Sequence, residues 1–392
     1  GENGWIALPD DPLLDVRHTL YYRNTVAPLN EALMGRSGAW LVEWEPWQID
    51  PTGLVEQLLG QVGEEVPLSE QPTGMRLLHF RLDADRLPLP PEPAVIPPVR
   101  GGSGLPLVLD GCALLENTPG DHPLRAACYW RAIGPLPEHL SVSARLMDTA
   151  GTEWGRADSA ISGPYLVAGQ WPLAEPVLGN YAVQPLAGIP PGDFYQLRLL
   201  IYEPDTTLHG EYVVAPVTIT SPSSPFAAEG AGLVPAQANL GGLTLEAVSI
   251  QPPRVLPGEE IQVEALWRVD GLFDEPHWVV EGQPEEIPLL PRPGATRLWR
   301  PGDRYRTVSR VPISPYAPGG ETPLWAVSAD GRVQVGVVSV DVTRTFALPA
   351  DVPLLDYRLG DSLSLVGAQW ARAGTVADIV LYWRAEEVVG TG

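Results

Sequence analysis

The chain has 392 residues, 44% hydrophobic and 19% charged, with 48 acidic residues against 25 basic ones and a net charge of −23. Every basic residue is an arginine, which excludes chemistry that needs a lysine: a P-loop, a Schiff base, a Ser–Lys pair or a kinase-type lysine. Scattered arginines in so acidic a chain argue against nucleic-acid binding, and no run reaches the roughly 18 apolar residues that a membrane span requires.

In chain order, residues 1–85 predict a small α/β unit. An apolar run at Trp5–Leu8 precedes a segment, Thr25–Met34, with Val26, Leu29 and Leu33 at helical spacing. Ala39–Trp44 reads as a strand. Asp50 and Pro51 read as the N-cap and first position of a helix over Thr52–Gln61, with Leu54, Val55, Leu58 and Leu59 on one face. Met75–Leu82 is the closing strand.

Residues 86–104 hold six prolines between Pro88 and Pro98 and then glycines, the composition of a semi-rigid spacer ending in a flexible joint. Beyond it, short apolar runs alternate with Pro/Gly turns, the pattern of antiparallel immunoglobulin-like β-sandwiches. The pattern repeats. Leu107–Cys112, Leu243–Val248 and Leu363–Ala368 each lead to an aromatic–arginine strand, Cys128–Arg131, Ala265–Arg268 and Leu381–Arg384. The first two copies continue in parallel through Trp171 and Trp299, each in a turn before a strand. The chain therefore divides into a sandwich at 105–220, a linker at 221–242, a second sandwich at 243–344, and a linker with a partial third repeat at 345–392. Two strands of that third repeat cannot bury a face alone, so either the sequence is a piece of a longer protein, with Gly1 a tag remnant and no signal peptide, or the third repeat pairs with an exposed edge of another module or chain.

Trp130, Trp267 and Trp383 occupy the position where a sandwich places its core ring. The arginine after each, Arg131, Arg268 and Arg384, falls on the outer face. Cys128 points inward, whereas Cys112 has the opposite parity to Leu107 and Leu109 unless a bulge intervenes. The two cysteines thus read as buried thiols, with a disulfide as the alternative.

These motifs resemble the extracytoplasmic β-sandwich repeats of polytopic bacterial glycosyltransferases similar to the protein mannosyltransferases, which use polyprenyl-phosphate sugars. The matching residues are Leu107–Gly111, Tyr129–Ala132, Gln170–Pro172, Pro190–Tyr195 and Tyr202–Asp205, and Ala39–Gly63 is similar to the soluble segment after the last membrane helices. The resemblance implies a location on the outer face of a bacterial membrane, as part of a membrane-embedded parent. It also implies a non-catalytic role, positioning a glycan or protein acceptor or weakly binding glycan. It carries over no catalytic residue. The alternatives are a secreted glycan-active enzyme with accessory sandwiches, or a structural surface array. The second copy departs from the pattern, with an acidic, Pro-rich passage at Trp278–Pro293 in place of a strand pair.

The six histidines, at 18, 79, 122, 139, 209 and 277, show no metal-ligand spacing, and no nucleophile elbow occurs. Calcium is the cofactor the acidic loops would suit, at Glu203–Asp205 or Asp148–Glu153. The candidate glycan contacts are Trp171, Trp299 and Trp154, with Trp44 and Trp47 beside them; capping the open end of a sandwich is the other reading of these rings.

Overall fold

The structure, a computed structural model, describes residues 6–8, 19–43, 46–70, 72–114, 118–223, 232–341, 348, 352–360, 363–373 and 376–385. Trp5, His18 and Trp44 lie outside them. The fold is mainly β, built from several antiparallel sheets, as in tandem β-sandwiches.

The first unit contains α1 (Tyr22–Leu33), β1 (Gly38–Glu43), α2 (Leu54–Val62), β2 (Gly63–Glu65) and β3 (Arg76–Leu82), with strand order β1-β3-β2. Val26, Leu29 and Leu33 bury one face of α1, as their spacing requires. The helix starts earlier than its apolar period, because the Asn24 carboxamide accepts the Tyr21 N–H at 2.8 Å and Thr25 Oγ1 donates to Tyr21 O. α2 begins two residues later than expected, after Gly53 in a left-handed conformation (φ 68°). Asp50 still caps it, its carboxylate accepting the N–H groups of Leu54 and Val55 at 2.7 and 2.9 Å. Burial raises the pKa of Asp50, and those two hydrogen bonds oppose the shift.

Sandwich 1 runs from β4 (Arg100–Ser103) and β5 (Leu107–Leu114) through β6 (Thr118–Pro119), β7 (Leu124–Ala132), β8 (Ser141–Asp148), β9 (Glu153–Ala160), β10 (Pro176–Val183) and β11 (Gly192–Tyr202) to β12 (Leu208–Thr220). One sheet is β10-β7-β5; the other is β4-β12-β11-β8-β9, with β6 beside β12. Sandwich 2 follows with β13 (Val234–Leu240), β14 (Leu243–Gln251), β15 (Arg254–Val255), β16 (Glu260–Val269), β17 (His277–Val280), β18 (Glu286–Pro288), β19 (Arg304–Pro312), β20 (Gly320–Ser328) and β21 (Gly331–Val340). Its sheets are β13-β14-β16-β19 and β15-β21-β20-β17-β18. Contrary to the expectation from the sequence, the acidic passage does not remove the strand pair. It shortens it, and β17 pairs with β18 from His277 opposite Pro288 to Val279 opposite Glu286.

Both sandwiches are organised around one tryptophan. Trp130 and Trp267 are fully buried. Each indole N–H finds an acceptor, Tyr181 Oη in sandwich 1 and Thr307 Oγ1 in sandwich 2, both at 3.0 Å. Opposite each ring sits a leucine, Leu109 or Leu245, followed by one extra residue, Asp110 or Glu246, that interrupts the register. This bulge returns the next apolar side chains to the core face. The bulged acid then meets the outward arginine, Asp110 with Arg131 and Glu246 with Arg268 at 3.4 Å. The same bulge corrects the reading of the cysteines. It turns Cys112 inward, directly opposite Cys128, and the two form a disulfide.

The Pro-rich stretch is not a free spacer. Leu89 is buried and exchanges two hydrogen bonds with the Asn30 carboxamide, and the Tyr22 hydroxyl donates to Pro90 O at 2.9 Å. α1 lies against the outer face of β7 and β10, where Tyr22 meets Tyr129 edge-on at 5.4 Å. Hence β7 is apolar on both faces. The sandwiches also touch one another. Arg292 reaches the buried Asp148 carboxylate at 3.1 Å, and the Trp299 indole donates to Gly188 O at 2.8 Å. At Gly188 (φ 85°) a Cβ would lie 2.9 Å from Leu290, so glycine lets the two units close.

The third repeat forms a single sheet of three strands, β22 (Leu354–Leu359), β23 (Leu363–Ala373) and β24 (Val376–Ala385). Its bulge after Leu365, opposite Trp383, repeats those of the sandwiches. Trp383 nevertheless corrects the expectation of three core rings: it is 47% exposed, where Trp130 and Trp267 are 0%. Among the described residues no second sheet covers this face.

Two measurements check this arrangement. Opening the Cys112–Cys128 bridge, by reduction or by replacing both residues with serine, should lower stability by about 3 kcal/mol in denaturant titration, the value for a loop of this length. An unchanged midpoint would contradict the pairing. At Asp148, burial pushes the pKa up, but the Trp154 indole N–H, the Thr152 N–H and Arg292 outweigh it and hold the group below its usual range. The stability it contributes is therefore complete above a pH of about 4 and drains away as the pH falls through the lower folded value. Asp148→Asn should cost about 2 kcal/mol at neutral pH and flatten the acid limb of the stability profile; an acid limb equal to that of the native chain would contradict this.

Candidate functional site

The two sandwiches differ in the route of their first strand, and that difference opens a groove. In sandwich 1 the strand changes sheets. Ile96 bridges Cys112 at the edge of β5. Pro97 and Pro98 carry the chain across, and proline suits a crossing because it has no N–H to leave unpaired between sheets. Val99 N–H then donates to Val213 O at 2.8 Å, and β4 pairs with Gly210–Val213 of β12. In sandwich 2 the strand starts in the same way, with Val234 opposite Val248, but it stays with β14 as far as Leu240. An irregularity between Pro235 and Ala238, with Gln237 at φ 52°, absorbs the twist. β21, the counterpart of β12, therefore has no strand on its outer edge over Gly331–Val337 among the described residues. β15 pairs with it only at Ser339 and Val340.

The space left is a groove of about 1110 Å³ between β13–β14 and β21. Val248, Ile250 and Val335 supply apolar surface, and Gln251, Gln262 and Gln334 supply exposed carboxamides. Gly336 brings the walls together, since a Cβ there would lie 2.4 Å from the Ile250 side chain. Among the described residues that line the groove none is charged and none is aromatic, although 19% of the chain is charged. Such a surface offers apolar contact, amide hydrogen bonds and an open sheet edge. Ser249 is the one hydroxyl among its described lining residues, and no histidine or carboxylate stands among them to activate it.

The residues singled out from the sequence lie elsewhere. Trp154, Trp171 and Trp299 are all buried, so none presents a ring face to a sugar. Trp154 donates to Asp148 Oδ2 at 3.0 Å, and Trp299 stacks on Tyr305 at 4.6 Å in the joint between the sandwiches. Trp154 lies on β9, whereas Trp171 and Trp299 each follow a short 3-10 turn, and all three rings belong to the core. Trp47 is exposed, 6.2 Å from Tyr165, and Trp40 is exposed and stacked on His79 at 4.2 Å.

The calcium candidates are occupied by protein groups. Asp148 accepts from Ala150, Thr152, Trp154 and Arg292. Glu203 contacts His209 at 2.7 Å, and Asp205 accepts the Thr207 N–H. Among the described residues no group of three His, Cys, Asp or Glu side chains could hold a metal ion.

One constellation was not visible in the sequence, because Ser223 lies about a hundred residues after the adjacent Asp121 and His122. Ser223 Oγ, His122 Nδ1 and Asp121 Oδ1 meet at 3.1–3.4 Å, beside a cavity of about 490 Å³ between the sandwiches. Serine and aspartate contact the same ring nitrogen, so the imidazole cannot relay a proton from one to the other as a catalytic triad requires. Asp121 instead ties down the chain at Ser223, accepting its N–H at 2.9 Å.

No protein-family model matches the sequence, and no curated protein is similar to it. Among solved structures, one similar chain is the transglutaminase of red sea bream, at 11% identity and a TM-score of 0.19, with 59% of this chain and 31% of that one covered. This chain thus spans under a third of the length of that protein, and a likeness at that score carries no argument about fold or activity.

Proposed function

We propose that the chain is a non-catalytic docking region that holds an uncharged acceptor or partner in the groove of sandwich 2. The observation that carries this reading is the groove itself, an open edge with a neutral, carboxamide-lined wall on a chain of net charge −23. Sites that hold a ligand without transforming it are of this kind: apolar surface with a few polar groups that fix orientation. Rigid attachment of both sandwiches and the α/β unit to one another supports a positioning role, because the groove is then held at a fixed place relative to the rest of the chain.

The resemblance of the repeats to the exterior regions of polytopic glycosyltransferases supports placing this region outside a bacterial membrane, next to such an enzyme. The Cys112–Cys128 disulfide is in keeping with an oxidising compartment. In that setting the groove would present an acceptor to catalytic machinery that lies elsewhere.

The test is binding by the purified chain to arrays of neutral glycans and of uncharged peptides, compared with Gln334→Arg. Gln334 is exposed, so the substitution leaves the core intact while placing a charge in the groove. Binding that falls at least tenfold in the variant is expected. Equal binding by both forms, or transfer or hydrolysis of a sugar by the purified chain, would contradict the reading.

A further inference from the structure

We infer that the groove is a strand-docking site, in which an extended peptide from another polypeptide adds antiparallel to Gly331–Val337 of β21. This deepens the docking function proposed above and rests on it. The precedent is in the same molecule: β4 lies antiparallel on β12 over Arg100–Ser103, and β12 and β21 are counterparts. Each is the last strand of its sandwich, each follows a hairpin from the preceding strand, and each takes a short parallel strand at its far end, Thr118 opposite Ile219 and Val255 opposite Val340. The two first strands even begin alike. What sandwich 1 supplies to this edge from its own chain, the described residues of sandwich 2 do not supply.

An unpaired edge offers a row of N–H and C=O groups, which an extended peptide satisfies more fully than any other ligand. Among the described lining residues there is also no aromatic ring on which a sugar would stack. The precedent further specifies the ligand. At Gly101 a Cβ would fall 2.2 Å from Glu211 O, and at Gly210 one would fall 2.1 Å from Gly102 O, so in sandwich 1 the incoming strand needs glycine where the backbones cross most closely. The expected partner is an extended, Gly-containing segment with small or apolar side chains at alternate positions and no acidic residues, since the net charge of −23 would repel them.

The probe is the chain's own precedent, a synthetic peptide of residues 94–105 carrying Arg100→Gln so that its side chains are uncharged, added to the full chain. Two further versions carry N-methyl groups on one or the other set of alternate amides. Hydrogen exchange should show the peptide protecting amides within Arg332–Val337. One N-methylated version should bind at least tenfold more weakly than the parent, while the other keeps its affinity, because only alternate amides of an added strand face β21. Equal binding by both N-methylated peptides, or protection outside β21, would overturn the inference. A linear neutral hexasaccharide separates the two levels of the proposal. If it occupies the groove and the peptide does not, the docking function stands and strand addition falls; if neither perturbs the groove, both fall.

Discussion

Each sandwich rests on an indole that must be taken out of water without losing its hydrogen bond. A ring as large as tryptophan fills the space between two sheets, but its N–H needs an acceptor inside that space. The two copies supply one differently. In sandwich 1, Gly179 leaves a gap into which the Tyr181 hydroxyl reaches, a gap that a Cβ would fill at 2.5 Å from that oxygen. In sandwich 2 the acceptor is Thr307, opposite Ala265 on the neighbouring strand. The leucine facing the ring and the bulge after it recur in all three copies. One extra residue there keeps the apolar parity of the strand matched to the core and sends an acid out to meet the arginine in the two complete sandwiches.

Around cores built in this way, the copies also differ at an edge. A sandwich has two open sides, and its first strand can close one of them by crossing between sheets or leave it open by staying. The proline pair Pro97–Pro98 makes the crossing in sandwich 1. β13 has no such pair at that level and stays with its sheet. The groove of sandwich 2 follows from that choice of route.

The repeat, the sandwich architecture and the burial of Trp130 and Trp267 were legible because alternation and aromatic spacing report directly on a two-sided sheet. The bulges were not, since a single inserted residue leaves no mark in composition yet inverts the parity of everything after it; this is why Cys112 read as outward-facing. The docked passage at Leu89–Ser103 was hidden by its prolines, which suggest a spacer although the chain resumes pairing directly beyond them. Trp171 and Trp299 show a different limit, because a turn's sequence does not say over which side it folds. Trp383 shows another: its strand pattern matches the buried copies, and only the sheet that would cover it decides its exposure. The groove was unreadable for the same reason, being defined by an edge that no other strand of the described residues covers.

Hydrogen exchange of the free chain tests most directly the claim that the two sandwiches share a core and differ in one edge. Amides in β7 and β16 should exchange at similar, slow rates, as should those of β12 at Gly210–Val213, which β4 covers. The outward amides of β21 between Arg332 and Val337 should exchange orders of magnitude faster. Protection of that edge equal to the protection of β12 would mean that sandwich 2 is already closed, and would contradict the account.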